Sequence, residues 1–322
     1  MLASTQERKK QHVPYEGPGQ SCRDHIEMNN CTTIMRSQSI RFAKMQGTGN
    51  DFLVLDNRSY QFTNEELSTC ARVWCTRRYG VGADGLLALD APDTPSADYR
   101  MHYVNADGSR ATMCGNGARC LFRFAHRVGF DKTELAFDTD AGLYRATYTE
   151  GTGPRVRLFV PAVTDVRSEV RLGQPVPEAI TELFYAHAGT EHLVAVVEDV
   201  EAVPVSAWGE QLRHDSSLEP AGANVNFMAV KEEGVISLRT YEKGVEDETL
   251  SCGTGVLAAA VTSERLDGHR QGQAVVVNTR GGRLRVGVAE TDRGAERYLE
   301  GPAEFVFEGA VPRPGSGDLP PQ

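Results

Sequence analysis

Apolar and polar positions alternate along this chain in short runs, and the runs recur in a second half that resembles the first. Residues 40–45 and 52–55 flank Gly47-Thr48-Gly49-Asn50 and predict two strands joined by a tight turn. Thr63-Asn64-Glu65-Glu66 has the form of a capping box and predicts a helix running to about Tyr79. Strands are expected over 85–89 and 99–104, then a helix over 118–128 with Gly129 as its left-handed cap. A hairpin of 135–138 and 144–149 closes this half. In the second half, 155–160 is the opening strand and 192–197 the next, and Ser206 caps a helix over 208–213. A hairpin of 226–230 and 236–241 follows, then a helix over 256–266 ended by Gly268. Hairpins at Gly281-Gly282 and around Gly301-Pro302 finish the chain. Val256-Leu257-Ala258-Ala259-Ala260-Val261 is apolar on nearly every side, so each half is expected to wrap a strongly curved sheet around one buried helix.

Before each of those central helices stands a near-duplicate: Met113-Cys114-Gly115-Asn116-Gly117 and Ser251-Cys252-Gly253-Thr254-Gly255. A thiol at a helix start faces unpaired backbone N–H groups and the positive end of the helix dipole, which favour the thiolate. The N–H groups of Gly115, Asn116, Gly253 and Thr254 form two helix N-termini suited to sharing one anion, most simply a carboxylate. An α-carboxylate held there becomes a better electron sink, so the adjacent Cα proton is easier to remove. One thiolate would take that proton while the opposite thiol returns one on the other face, inverting the centre. Asn105-Ala106-Asp107-Gly108 and Tyr241-Glu242-Lys243-Gly244 precede the two cysteines at matching places. His192 and Glu242 are the candidates for setting which sulfur is charged.

Composition narrows the setting. A net charge of −10 leaves no basic field for nucleic acid or an anionic membrane, and no apolar run reaches the length of a transmembrane helix. Seven cysteines are an odd number, without the packing of a secreted disulfide scaffold; a reduced, cytoplasmic setting fits thiols that act as bases. Cys70 and Cys75 lie on different faces of one helix and, with Cys120, read as packing; Cys22 and Cys31 belong to the leader. Residues 1–39 read as a disordered leader or an overextended gene start, with Met35 as an alternative initiator, and 312–322 as a flexible tail. Between them lie two domains, 40–152 and 153–311, whose last strands cross to the other half. Gly80-Val81-Gly82-Ala83-Asp84-Gly85 has the spacing of a dinucleotide fingerprint, but a helix precedes it and a strand follows, the reverse of what that site needs. His187, Glu191 and His192 do not have a metal spacing; on an extended segment the first two share a face and His192 points away.

Together these segments resemble the diaminopimelate epimerases, pyridoxal-independent enzymes of lysine and cell-wall precursor synthesis. The likeness is carried by 44–52, 80–87, 105–120, 223–227 and 241–255, and spans about 40–311. It implies an α/β fold of two pseudo-symmetric domains, each an antiparallel barrel-like sheet around a central helix, with the site in the cleft between them. It implies Cys114 and Cys252 as the acid/base pair, no cofactor, and Gly115, Asn116, Gly253 and Thr254 as the holders of the reacting carboxylate. Asn50, Asn105, Asn224, Glu242 and Lys243 would read the substrate's amino groups and far carboxylate, and a homodimer is implied.

Three departures lie on the substrate-reading side. Thr190-Glu191-His192 stands where many members have Asn-Pro-His; Glu242-Lys243 replaces Glu-Arg, a point charge for a bidentate fork; Gly85 stands where some members place glutamine. They leave open a racemase of another amino acid, such as histidine or proline, on the same fold. A non-catalytic amino-acid binding protein keeps the cleft but has no need of both thiols. A thiol–disulfide oxidoreductase lacks its Cys-x-x-Cys, and a pyridoxal racemase lacks a visible Schiff-base lysine and phosphate cradle.

Overall fold

A computed structural model describes residues 39–149, 155–168, 170–266 and 273–315; Cys22, Cys31, Met35 and Gly268 lie outside them. Strand β1 (Ser39–Gly47) turns into antiparallel β2 (Asn50–Asp56). Helix α1 (Asn64–Trp74) crosses to β3 (Gly85–Asp90), parallel to β2. Next, β4 (Tyr99–Asn105) pairs antiparallel with β3 and with the short β5 (Arg110–Ala111). Helix α2 (Gly115–Arg127) leads to β6 (Glu134–Thr139), parallel to β4, and on to antiparallel β7 (Gly142–Tyr148) and β8 (Arg155–Phe159).

After β9 (Thr164–Arg167) every one of those steps recurs. The pair β10 (Ile180–His187) and β11 (Glu191–Val197) is antiparallel; α3 (Val205–Arg213) crosses to β12 (Asn224–Glu232), parallel to β11. Antiparallel β13 (Val235–Glu242) carries the short β14 (Asp247–Thr249), and α4 (Gly253–Leu266) leads to β15 (Val275–Thr279), parallel to β13. Antiparallel β16 (Gly282–Thr291) and β17 (Gly294–Pro302) complete the repeat. The last strand, β18 (Glu304–Pro312), returns to pair with β1, while β9 pairs with β10. Strand β8 pairs with its counterpart β17 and joins the halves into one continuous sheet.

Two cores follow from this plan. Ala118, Leu121, Phe122 and Ala125 of α2 pack with Met45, Phe52, Leu87, Phe137 and Leu158. Val256, Ala258, Ala259 and Ala260 of α4 pack with Val194, Ile236, Val277, Leu284 and Leu299. Each helix is thus enclosed by strands of its own half.

Several local expectations change. Helix α1 has its capping box, Thr63 bonding the Glu66 N–H and Glu66 reaching back to the Thr63 N–H, but ends at Trp74 rather than near Tyr79. Arg78 takes a left-handed backbone, with φ of 76°, and the Gly82 N–H returns to the Trp74 carbonyl, so the chain folds back instead of coiling on. Ser206 does not cap α3: it donates to Asp247 at 3.0 Å, and Pro204 holds the cap position without a side-chain bond. Gly301-Pro302 is no hairpin, because β17 pairs with β16 and β8 while β18 pairs with β1. Strand 155–160 ends the first half's pairing plan rather than opening the second. Cys70 and Cys75 both bury themselves in one cluster with Phe62 and Trp74. No helix among the described residues is long and apolar enough to cross a membrane.

Candidate active site

Both duplicated segments end in the same backbone event. Cys114 is the N-cap of α2, extended at φ −139° and ψ 118°, and its carbonyl takes the Ala118 N–H at 2.8 Å. The Cys252 carbonyl takes the Val256 N–H at 2.9 Å and starts α4 in the same way. The two helix starts meet face to face. A Cβ built on Gly253 would stand 4.0 Å from the Gly115 Cα, and Cβ atoms on either glycine would touch the same Leu299 methyl, at 3.4 and 3.5 Å. Two sets of first-turn N–H groups, which have no acceptor inside their helices, therefore open on one small space. Asn116 ties the two ends together by donating to the Ser251 carbonyl at 3.1 Å.

Around Cys114 the polar contacts are dense. Its sulfur accepts from the Gly117 N–H at 3.4 Å and faces the Asn50 carbonyl oxygen at 3.7 Å. The Asn50 amide donates to Asp84 at 2.6 Å, and Arg77 holds Asp84 and Asp51. Behind Asn116 lies Arg119, fully buried and bonded to neutral groups: Thr48 and Asn116 at 2.9 Å each, and the Gly115 and Pro302 carbonyls. Burial lowers that guanidinium to about 10.

Cys252 is barer. Its sulfur lies 3.4 Å from the Thr254 hydroxyl. Burial pushes the Cys252 thiol up to about 12, with the Glu242 carboxylate adding to it against Thr254 and the Gly255 N–H. Burial also raises the Cys114 thiol, against the N–H groups of Gly117 and Asn116. The helix-start N–H groups favour the thiolate at both sulfurs, as the sequence predicts, but desolvation is the larger effect at each. Glu242 acts on both, and its own carboxyl is raised by burial.

Two of the three departures turn out to be partners. Lys243 pairs with Glu191 at 2.6 Å, and the Thr190 hydroxyl donates to the same carboxylate at 3.0 Å. Burial raises the Glu191 carboxyl, but Lys243, its own N–H and Thr190 outweigh it and hold the group at about 2. Asn224 binds this pair to the strands, donating to the Glu191 carbonyl at 3.1 Å and accepting the Lys243 N–H at 2.9 Å. The third departure is filled from across the sheet: a Cβ on Gly85 would lie 2.6 Å from the Tyr103 ring. Asn105, opposite Gly85 in the β3–β4 register, donates its amide to Ser109 at 2.9 Å. His187 and Glu191 face each other across the β10–β11 hairpin, not along one extended segment. A cavity of about 450 Å³ beside Glu191, lined also by Arg167, Arg171 and Tyr185, includes neither sulfur.

His192 is fully buried, and burial lowers its imidazole to about 3, with Lys243 adding to the effect. It is a neutral ring, fixed by Asn226 at 3.1 Å. Asn226, Thr240, Asp84, Tyr103 and Arg119 went unassigned in the sequence. Arg119 had a signal, a cation set within the apolar run from Ala118 to Phe122. Asn226 had another, because Asn224 and Asn226 alternate onto one face of β12.

The diaminopimelate epimerase family model matches residues 42–158 and 184–306. The chain is 40% identical to the diaminopimelate epimerase of Chlorobaculum tepidum over 83% of its own length and 99% of that protein's. For the diaminopimelate epimerase of Aquifex aeolicus the figures are 38%, 84% and 98%. A Bacillus anthracis phenazine biosynthesis protein of the PhzF family shares the fold, with a TM-score of 0.66 at 16% identity over 85% of this chain and 99% of that one. The chain therefore belongs to the diaminopimelate epimerase family, and it is an isomerase.

Proposed function

We propose that the protein interconverts LL- and meso-2,6-diaminopimelate by a two-base mechanism in which Cys114 and Cys252 are the acid/base pair. The observation that carries this reading is the meeting of two cysteine-capped helix starts at Gly115 and Gly253. The reacting carboxylate is held by the N–H groups of Gly115, Asn116, Gly253 and Thr254, which stabilise the charge that grows on it as the Cα–H bond breaks. One sulfur enters as thiolate, takes the Cα proton and becomes a thiol. The opposite thiol gives its proton to the other face of the carbanion and becomes the thiolate, so no proton is gained or lost. Of the two, Cys114 has the less penalised thiolate, since two backbone N–H groups face it. The step needs no cofactor, and it needs reduced thiols, which fits a cytoplasmic setting; the family likeness, rather than the chemistry, suggests a homodimer.

Asn50, Asn105, Asn224, Glu242 and Lys243 read the substrate's amino groups and its far carboxylate. Lys243 is engaged by Glu191, so a far carboxylate has to compete with an internal one. Glu191→Gln is expected to lower KM for diaminopimelate several-fold with little change in kcat. The same pairing favours, as a second reading, a racemase whose substrate carries no far carboxylate, histidine among them.

Proton NMR in deuterated water with LL-diaminopimelate tests the first reading. Deuterium entering Cα as the meso isomer appears, with kcat lost by about 10²–10⁴-fold or more in both Cys114→Ala and Cys252→Ala, supports it. Active, reduced protein that exchanges histidine and not diaminopimelate overturns the substrate assignment; formation of the meso isomer at the wild-type rate in either cysteine variant overturns the two-base mechanism.

A further inference from the structure

The amide of Asn226 lies between three polar partners whose chemistry leaves it one orientation. Asn226 is on β12, fully buried, beside Val194 of β11 and opposite Thr240 of β13. One end of the amide faces the Leu193 carbonyl at 2.9 Å, a group that only accepts, so that end is the NH₂. The same NH₂ lies 3.1 Å from Nδ1 of His192, so Nδ1 accepts and the ring proton is on Nε2. The other end, the oxygen, accepts from the Thr240 hydroxyl at 3.0 Å, which keeps the amide from turning over. His192 Nε2 is buried and has no hydrogen-bond partner, which is unusual for so deep a donor. The Asn226 oxygen also abuts the first turn of α4: a Cβ on Gly255 would lie 2.2 Å from it and 3.4 Å from the Cys252 Cβ. The tautomer-setting amide is thus part of the wall beside the second sulfur.

We propose that Asn226 and Thr240 are positioning residues that lock His192 in its Nε2–H tautomer, so that His192 acts as a fixed hydrogen-bond donor to the bound amino acid. His192 is then neither the acid nor the base of the reaction, and it does not set the charge of a sulfur by titrating. A neutral ring suits this role, because its deep burial disfavours the imidazolium. The donation to substrate rests on the epimerase reading above; the tautomer does not.

The experiment is ¹⁵N NMR of the ring nitrogens of the whole protein, with His192 identified by its loss in His192→Gln. Wild-type protein is expected to show a neutral Nε2–H ring whose Nε2 signal shifts when meso-diaminopimelate is added. Asn226→Asp places an acceptor against Nδ1, and is expected to move the proton there or add a second, with kcat/KM falling by about tenfold to a hundredfold. Thr240→Val, a smaller disturbance that removes only the hydroxyl, is expected to mix the tautomers, and Thr240→Ser to keep the wild-type one. A wild-type ring carrying its proton on Nδ1 overturns the lock. So does a proton that stays on Nε2 in Asn226→Asp. A changed tautomer with kcat and KM untouched overturns the donor role. If wild-type protein exchanges no Cα proton of diaminopimelate, the substrate reading has failed, and the spectra alone still decide the lock.

Discussion

The two cysteine-capped helix starts are near copies in sequence and in backbone, yet their surroundings differ in kind. At the α2 end, Cys114 faces backbone N–H groups and the Asn50 amide oxygen, and Asn50 in turn bonds Asp84, which is paired with Arg77. At the α4 end, Cys252 has one hydroxyl, the Gly255 N–H and the Glu242 carboxylate, and the polar groups behind it, His192, Asn226 and Thr240, are neutral and sealed from solvent. The repeated residues thus place the sulfurs, and the unrepeated ones set how easily each ionises. A symmetric motif yields an asymmetric pair.

Acid should expose the difference most strongly. The folded His192 holds its pKa near 3, while an unfolded imidazole titrates near 6.5, so below about pH 6.5 the unfolded chain binds a proton that the folded one refuses. Stability is full above that pH and is lost as pH falls toward 3. His102 on β4 of the first half, also lowered by burial, adds a smaller loss of the same sign, so the two halves differ there in size and not in direction. In the first half Asp51 is lowered from the carboxylate range, so its contribution is lost only below about pH 4. Urea unfolding of wild-type protein should weaken between pH 6.5 and 4, and His192→Gln should flatten that range. An unchanged slope in the variant would place the loss elsewhere.

Next in size are the matching glycines of the two turns. A Cβ at Gly255 meets the Asn226 oxygen at 2.2 Å, and that amide is held on every side. At Gly117 a Cβ meets a Leu87 methyl at 3.0 Å, a longer approach and to an apolar side-chain end rather than to a hydrogen-bonded amide. Gly255→Ala is expected to cost about 1–3 kcal/mol, whereas Gly117→Ala should cost less, since alanine regains about 0.5–1 kcal/mol in a helix. Equal midpoint shifts in denaturant would mean that Asn226 yields more readily than its bonds suggest.

How much of this was legible beforehand follows the range of the interactions. Period-two alternation and turn residues located most strands, and the repeat of Cys-Gly-x-Gly marked both helix starts, because those signals lie within a few residues. Choice of strand partner is not local: Gly301-Pro302 looks like a hairpin turn, yet β18 leaves for β1. The Glu191–Lys243 pair joins two departures that sequence reasoning met separately, in segments far apart in the chain. Helix-dipole logic pointed to acidic thiols, but burial, which sequence does not reveal at a cap, outweighs it at both.

The finest test of the comparison is the order in which the thiols react. Thiolate is the nucleophile toward iodoacetamide, so the less penalised sulfur is modified first. Mass spectrometry of native, reduced protein should show Cys114 labelled faster than Cys252, with Cys70, Cys75 and Cys120, each held at about 12 by burial, also slower than Cys114. Glu242 raises both site thiols, and at Cys252 it ranks directly after burial, while at Cys114 it follows the two N–H groups. Glu242→Gln should therefore speed labelling at Cys252 more than at Cys114 and narrow their ratio several-fold, by removing the nearby negative charge. A ratio left unchanged would mean that desolvation alone separates the two sulfurs. A ratio that widens would mean that Glu242 holds the α2 end, and the asymmetry between the copies would have to be assigned the other way round.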